Sequence, residues 1–475
     1  MSDLDLCYMP GYLAQELFKK GKLSPVELLK AQIVRTEAVN PKINAYTDQY
    51  FDDAMVQAKK AEAIFAKKDE KLIRTLEGLT LVIKDNQDVA GKRTTHGSLI
   101  YKNNVAMSTS PVCQRLLDAG AILVAKTTTP EFCSAGVTYS KLFGKTGTPW
   151  NPKFTAGGSS GGSAASLGAG MATLGTGSDI AGSIRIPAAC CGVVGYKPPY
   201  GRVPGKPPFN LDFYGQTGPL AQSVGDCTMM TNVMSGAHPS DIVSLREEIN
   251  LPLQYDGIRN WKVAYSLDLG HFNVAPEIKE NFLATISLLR DYGVQVTEVD
   301  LGWGQEVTDA AITYLDHLFG RSLARSHEEH GELLCDYNIH YAKRAKNSDA
   351  EAFLATYEVA ANMYETLGPI LEENQVFLCP TAASHEVPAD AKPWEHIMVN
   401  GKKMITDFDW PMAHPFNMLS RLPVLAIPNG ILSNGLPGSL QIIGRSYDDQ
   451  RVFQFASAME KLSPWLDCKA RRPQS

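Results

Sequence analysis

The clearest strand signal in the chain is Gly78-Leu79-Thr80-Leu81-Val82-Ile83-Lys84, an apolar, β-branched run closed by a lysine. A continuous apolar run predicts a strand buried on both faces, with Lys84 at its carboxyl end. Upstream, residues 10–75 read as helical. Ser24-Pro25-Val26-Glu27 offers an N-cap, a proline at the first helical position and an early acid. Pro41 restricts the residue before it and predicts the end of that helix near Asn40. Downstream, 111–119 predicts a helix and 121–125 a strand, and the small apolar residues of 163–172 predict a helix packed closely on a sheet. The glycine- and proline-rich stretch 199–219 carries Tyr200, Phe209, Phe213 and Tyr214 and predicts an ordered loop. Then come a strand at 261–265, a helix at 275–292 and a strand at 294–299. A largely helical stretch, 305–373, follows, then a strand at 375–379 and an irregular segment, 381–415. Strands at 423–428 and 438–444 and a closing helix at 447–461 complete the chain. This order, mixed αβ throughout with no repeat and no clear linker, predicts an α/β fold in a single large domain. Its parts divide into a helical segment, 1–75, a core, 78–230, a variable region, 235–410, and a return to the core, 415–465.

Composition narrows the function classes. Apolar content of 44% and charged content of 20% are ordinary for a globular protein, and a net charge of −6 gives no footprint for nucleic acid. No run of 18 apolar residues predicts a membrane span, and the N-terminus has no basic-then-apolar secretory pattern. Nine cysteines, with no C-x-x-C pair, predict reduced thiols in a cytoplasmic protein. His327-Glu328-Glu329-His330 has the wrong spacing for a zinc helix and reads as a solvated face. Gly175-x-Gly177 lacks a third glycine, and no phosphate loop follows any glycine run, so neither metal nor organic cofactor is expected.

The chemistry concentrates in Gly157–Pro187, which holds two serine-bearing glycine turns, GGSSGGS and SDIAGSIR. Alone, glycine–serine runs are usually turns. GGSSG also fits the G-x-S-x-G nucleophile elbow, but that motif needs a strand directly before it, and 149–155 reads as loop. Its histidine candidates, His385 and His414, are expected to line or support the substrate segment instead. Taken with Lys84-Asp85-Asn86 upstream, the two turns resemble the amidase signature family, whose members cleave carboxamide C–N bonds with a Ser–cis-Ser–Lys triad. Further matching stretches are 85–91, Thr94-Thr95, Gly97-Ser98, 125–127, 130–132, 149–152, 192–198, 218–221 and 440–444. The match is close over 78–230 and 415–460 and only generic over 235–410.

The resemblance implies that Ser183 is the nucleophile, Ser159 the bridging serine on a cis peptide, and Lys84 the base. It implies an oxyanion hole from the backbone N–H groups of Ile180, Ala181, Gly182 and Ser183, with Ser160 and Arg185 as supports. Many members have glycine where Ala181 stands, so its methyl requires a negative φ. A base needs a neutral amine, and burial at the end of an apolar strand lowers a lysine's pKa. Asp85 points to the opposite face and need not pair with Lys84. Lys126 and Glu131 are expected to be structural. The expected partner is a small-molecule amide, apolar or aryl and N-substituted, with carbamates and amide oligomers also open. Neither nucleic acid nor membrane is expected, and a homo-oligomer stays open. Aromatic residues at 209, 213, 214, 394, 410 and 416 are candidates for the substrate pocket. Two rival functions stand beside this one: the glutaminase subunit of a tRNA-dependent amidotransferase, and a non-catalytic binding protein on the same fold.

Overall fold

The computed structural model describes residues 2–392, 397–399, 401–404, 406–466 and 468–473. The run that begins at Thr80 forms the strand Thr80–Lys84, every residue of it buried. Its alternation serves two faces. Leu81 and Ile83 pack with Phe65, Leu116 and Met230, on helices Phe51–Ala66, Pro111–Asp118 and Val224–Met234. Val82 packs on the opposite side with Leu167 of helix Gly161–Gly168. Helices therefore cover both faces, and Lys84 continues the row that starts at Val82.

Among the described residues, eleven strands form one sheet. From one edge they run Tyr46–Gln49, Ile122–Thr127, Thr80–Lys84, Leu174–Asp179, Gln216–Ala221, Val194–Lys197, Val424–Ile431, Pro437–Ile443, Val376–Pro380, Lys262–Tyr265 and Gln295–Glu298. Thr80–Lys84 is parallel to both of its neighbours, Ile122–Thr127 and Leu174–Asp179. The middle of the sheet is antiparallel, and the far edge is parallel again around the crossover helix Pro276–Tyr292. A central mixed, twisted sheet in a single large domain, covered by helices on both faces, is what the resemblance to the amidase signature family implies.

Several local expectations change. The stretch read as helical, 10–75, contains the edge strand Tyr46–Gln49, and the expected loop 199–219 gives way at its end to the strand Gln216–Ala221. Helix Pro25–Ile43 runs through Pro41. The proline falls in the last turn, and the Asn40 side chain caps the exit by accepting from the N–H groups of Ala45 (2.9 Å) and Tyr46 (3.3 Å). The stop is instead Asn44, in the left-handed region at φ 54°. Residues 149–155 are not all loop: Asn151–Thr155 is a strand, paired with Gly147–Thr148 in a separate two-stranded ribbon. It is no elbow strand, because it lies outside the main sheet.

Helix Gly161–Gly168 is buried along its whole length. A Cβ on Gly162 would fall 2.4 Å from the Thr128 nitrogen and 2.5 Å from the Ala45 carbonyl oxygen, so the small residues permit this close approach to the sheet.

Candidate active site

Lys84 emerges where its strand ends, with no exposed surface. Its Nζ donates to Ser159 Oγ at 2.7 Å and to Ser178 Oγ at 2.8 Å. Burial pushes the Lys84 pKa below the ordinary lysine value, and Cys133 and Asp179 partly oppose the shift. Asp85 turns away, accepting from the N–H groups of Thr95 and Gly97 and from the Thr95 hydroxyl. Lys126 and Glu131 hold neighbouring loops: Lys126 Nζ donates to the Gln87 carbonyl and Thr94, while Glu131 accepts from Ser98, Cys335 N–H and Asn338.

Ser159 follows Gly158 through a cis peptide. Its neighbour Ser160 accepts from Ser178 N–H at 3.3 Å and donates its own N–H to the Ser183 carbonyl at 3.1 Å, tying the two serine turns together. Ser183 sits in the turn after strand Leu174–Asp179, and a buried ion pair fixes that turn. Arg185 Nε donates to Asp179 Oδ2 at 3.0 Å, and both side chains are wholly buried. The remaining guanidinium hydrogens reach Asp179 Oδ1 (3.0 Å), the Ala413 carbonyl (2.8 Å), Gln441 (2.7 Å) and Asn417 (2.6 Å). Burial alone would raise the Asp179 carboxyl, but the Arg185 guanidinium overrides it and holds the group well below the usual carboxylate range.

Asp179 also accepts from Gly182 N–H at 2.7 Å and Ile184 N–H at 3.1 Å. This bears on one of the four N–H groups expected to form the oxyanion hole. The Gly182 donor is already committed to Asp179, whereas Ile180, Ala181 and Ser183 make no N–H bond among the described residues. Gly182 takes the left-handed conformation at φ 109°, and Ala181 is not among the residues of positive φ. The methyl at 181 is therefore accommodated.

Ser159, Ser178 and Ser183 line one cavity of ≈ 500 Å³, with Asn86, His96 and Cys133 on its wall. Of the aromatic candidates among the described residues, only Phe209 lines it. Tyr214, Trp410 and Phe416 are core residues, Tyr214 stacking on Tyr314 with ring centres 3.6 Å apart. Phe213 packs edge-on against both rings of that stack, and Trp394 lies outside the described residues. The aromatic rings that do line the cavity include Tyr101, Phe132, Tyr200 and Phe319. His385 and His414 are buried, bonded to the Pro437 carbonyl and to Thr308, and neither borders the cavity. No cluster of three metal-ligating side chains occurs among the described residues, and no helix among them is long and apolar enough to cross a membrane.

Ser178 and Cys133 went unnoticed in the sequence. Ser178 carried a usable signal, being the strand residue directly before Asp179 in the second serine turn. Cys133 had none: it reaches the cavity through two successive left-handed residues, Phe132 (φ 55°) and Cys133 (φ 60°).

The amidase family profile matches residues 27–453. The chain is 33% identical to an acylamidase of Rhodococcus erythropolis over 463 residues, 94% of each chain. It is 32% identical to a glutamyl-tRNA(Gln) amidotransferase subunit of Thermosynechococcus vestitus over 489 residues, 95% of this chain and 97% of that one. Among solved structures, a bacterial aryl acylamidase of the amidase signature family superposes with a TM-score of 0.87 at 26% identity, covering 96% of this chain and 97% of the other. A 6-aminohexanoate cyclic dimer hydrolase complexed with substrate gives 0.83 at 26% identity, with 98% and 99% covered. Profile, relatives and fold agree over nearly the whole length: the chain belongs to the amidase signature family and is a hydrolase of amide C–N bonds.

Proposed function

We propose that the protein is a serine amidase acting through an acyl-enzyme on N-substituted amides with an apolar or aryl group. The observation that carries this reading is the buried Lys84 amine, 2.7 Å from a serine hydroxyl that shares a cavity with Ser183. Serine is a weak nucleophile at its own pKa and needs a base. Ser159 both donates and accepts, so it relays the Ser183 proton to a neutral Lys84 as Ser183 Oγ attacks the carbonyl carbon. The N–H groups of Ile180, Ala181 and Ser183 are the donors for the tetrahedral oxyanion. Collapse breaks the C–N bond, and the proton returns through Ser159 to the departing nitrogen. Water then attacks the Ser183 ester by the same route and releases the acid.

The acylamidase and aryl acylamidase relatives support the N-substituted amide class. The nine unpaired thiols accord with a reducing, cytosolic location. A coloured nitroanilide tests the reading: the purified chain releases nitroaniline and its Ser183→Ala variant does not. Equal release by the variant would sink it.

One observation favours a second reading. Glutamyl-tRNA(Gln) amidotransferase subunits match the chain at 30–32% identity over 95–97% of its length. Hydrolysis of glutamine alone, with no anilide turnover, would transfer the assignment to a glutaminase subunit.

A further inference from the structure

The cavity containing Ser159 is not the only space at Ser183. A recess of ≈ 70 Å³ adjoins it, sharing Cys133, Ile180, Ser183, Phe319 and Leu323 with the larger cavity. Neither Ser159 nor Ser178 lines this recess. A carbonyl held at Ser183 therefore has two unequal spaces for its two substituents, and proton transfer decides which goes where.

This argument rests on the serine reading above. When the C–N bond breaks, the departing nitrogen takes its proton from Ser159 and must lie within about 3 Å of that hydroxyl. Ser159 lines only the larger cavity, so the amine half lies there. The water that later attacks the ester needs the same proton carrier and enters the space the amine has left. The acyl half is left with the recess.

Size then selects the acyl group. An apolar cavity of about 150 Å³ admits one benzene ring, and the recess is roughly half that volume. The larger cavity is within the usual range of about 300–1,000 Å³ for small-molecule sites. The recess walls include Ile186, Leu315, Leu323, Phe408 and Pro411. Its polar side chains have partners: Arg344 donates to Asp316 at 2.7 and 2.9 Å, and the Tyr341 hydroxyl donates to Asp407. We infer that the enzyme selects amides of short, apolar acyl groups, about two to four carbons long, and places the bulky substituent on the nitrogen.

The test is a series of 4-nitroanilides of acetic, butyric, octanoic and benzoic acids, run with the intact chain beside its Ser183→Ala variant. The acetyl and butyryl members are expected to exceed the octanoyl and benzoyl members in kcat/KM by at least about tenfold. Leu315→Ala and Phe408→Ala each remove a recess wall, and the octanoyl-to-acetyl ratio is expected to rise at least about threefold in either. Ser183-dependent preference for the octanoyl or benzoyl member would overturn the inference and leave the serine amidase standing. Hydrolysis that survives in Ser183→Ala, or none with any member, would overturn both.

Discussion

Two lysines end strands of the same sheet, both without exposed surface and both with a pKa lowered first of all by burial. Lys84 faces two hydroxyls, Ser159 and Ser178, and both line a cavity. Lys197 faces three backbone carbonyls, those of Pro198, Ser420 and Leu422. Carbonyls only accept, so they can hold an ammonium but cannot pass a proton onward. Burial, with the Arg185 cation nearby, pushes Lys197 down to about 7, yet it does not line the cavity at Ser183. A buried amine with a lowered pKa is thus not enough for a base: it also needs a hydroxyl relay and an open space beside that relay.

The largest expected effect separates the two lysines by activity. Lys84→Ala should lower kcat for a nitroanilide by at least about 10³-fold with the thermal midpoint retained. Lys197→Met should do the reverse: stability by denaturant titration falls by about 2–4 kcal/mol, because three buried carbonyls lose their donor, while kcat of the folded enzyme stays within about threefold. A thousandfold loss of kcat in Lys197→Met would break the comparison. The pH profile sharpens it. Since burial lowers the Lys84 pKa, the neutral base forms as pH rises through that lowered value, so kcat/KM should climb along a limb whose midpoint lies below 10.5. In Ser178→Ala the ammonium loses an acceptor that favours its charged form, so the limb should move to lower pH and kcat should fall about tenfold. The smallest effect belongs to Ala181→Gly, where the methyl already fits its backbone. Its kcat/KM should change by less than about threefold, and a larger change would show the methyl shaping the oxyanion donors.

Lys84 and its serines were legible because their chemistry is written locally. An apolar strand ending in lysine states its own burial, and glycines around Ser159 and Ser183 state that the backbone must turn there. The cavity wall was not legible in the same way. Tyr214, Trp410 and Phe416 share loop-rich segments with Phe209, and only the packing of distant elements sends the first three inward. Phe319 and Leu323 come from helices that looked generic in sequence. They meet Ser183 because the wide turn Asp316–Gly320 leads into helix Arg321–His330 beside the site. The commitment of Gly182 N–H to Asp179 was likewise out of reach, since sequence shows which donors share a turn but not what each one meets.

The Asp179–Arg185 pair has a consequence in time as well as space. Its guanidinium is held by Ala413, Asn417 and Gln441, partners that the ribosome adds more than two hundred residues after Ser183. A nascent chain that already holds Lys84, Ser159 and Ser183 still lacks the anchor that shapes the turn at Ser183. The turn that carries Ser183 is therefore fully anchored only once the carboxyl-terminal segments close onto the sheet.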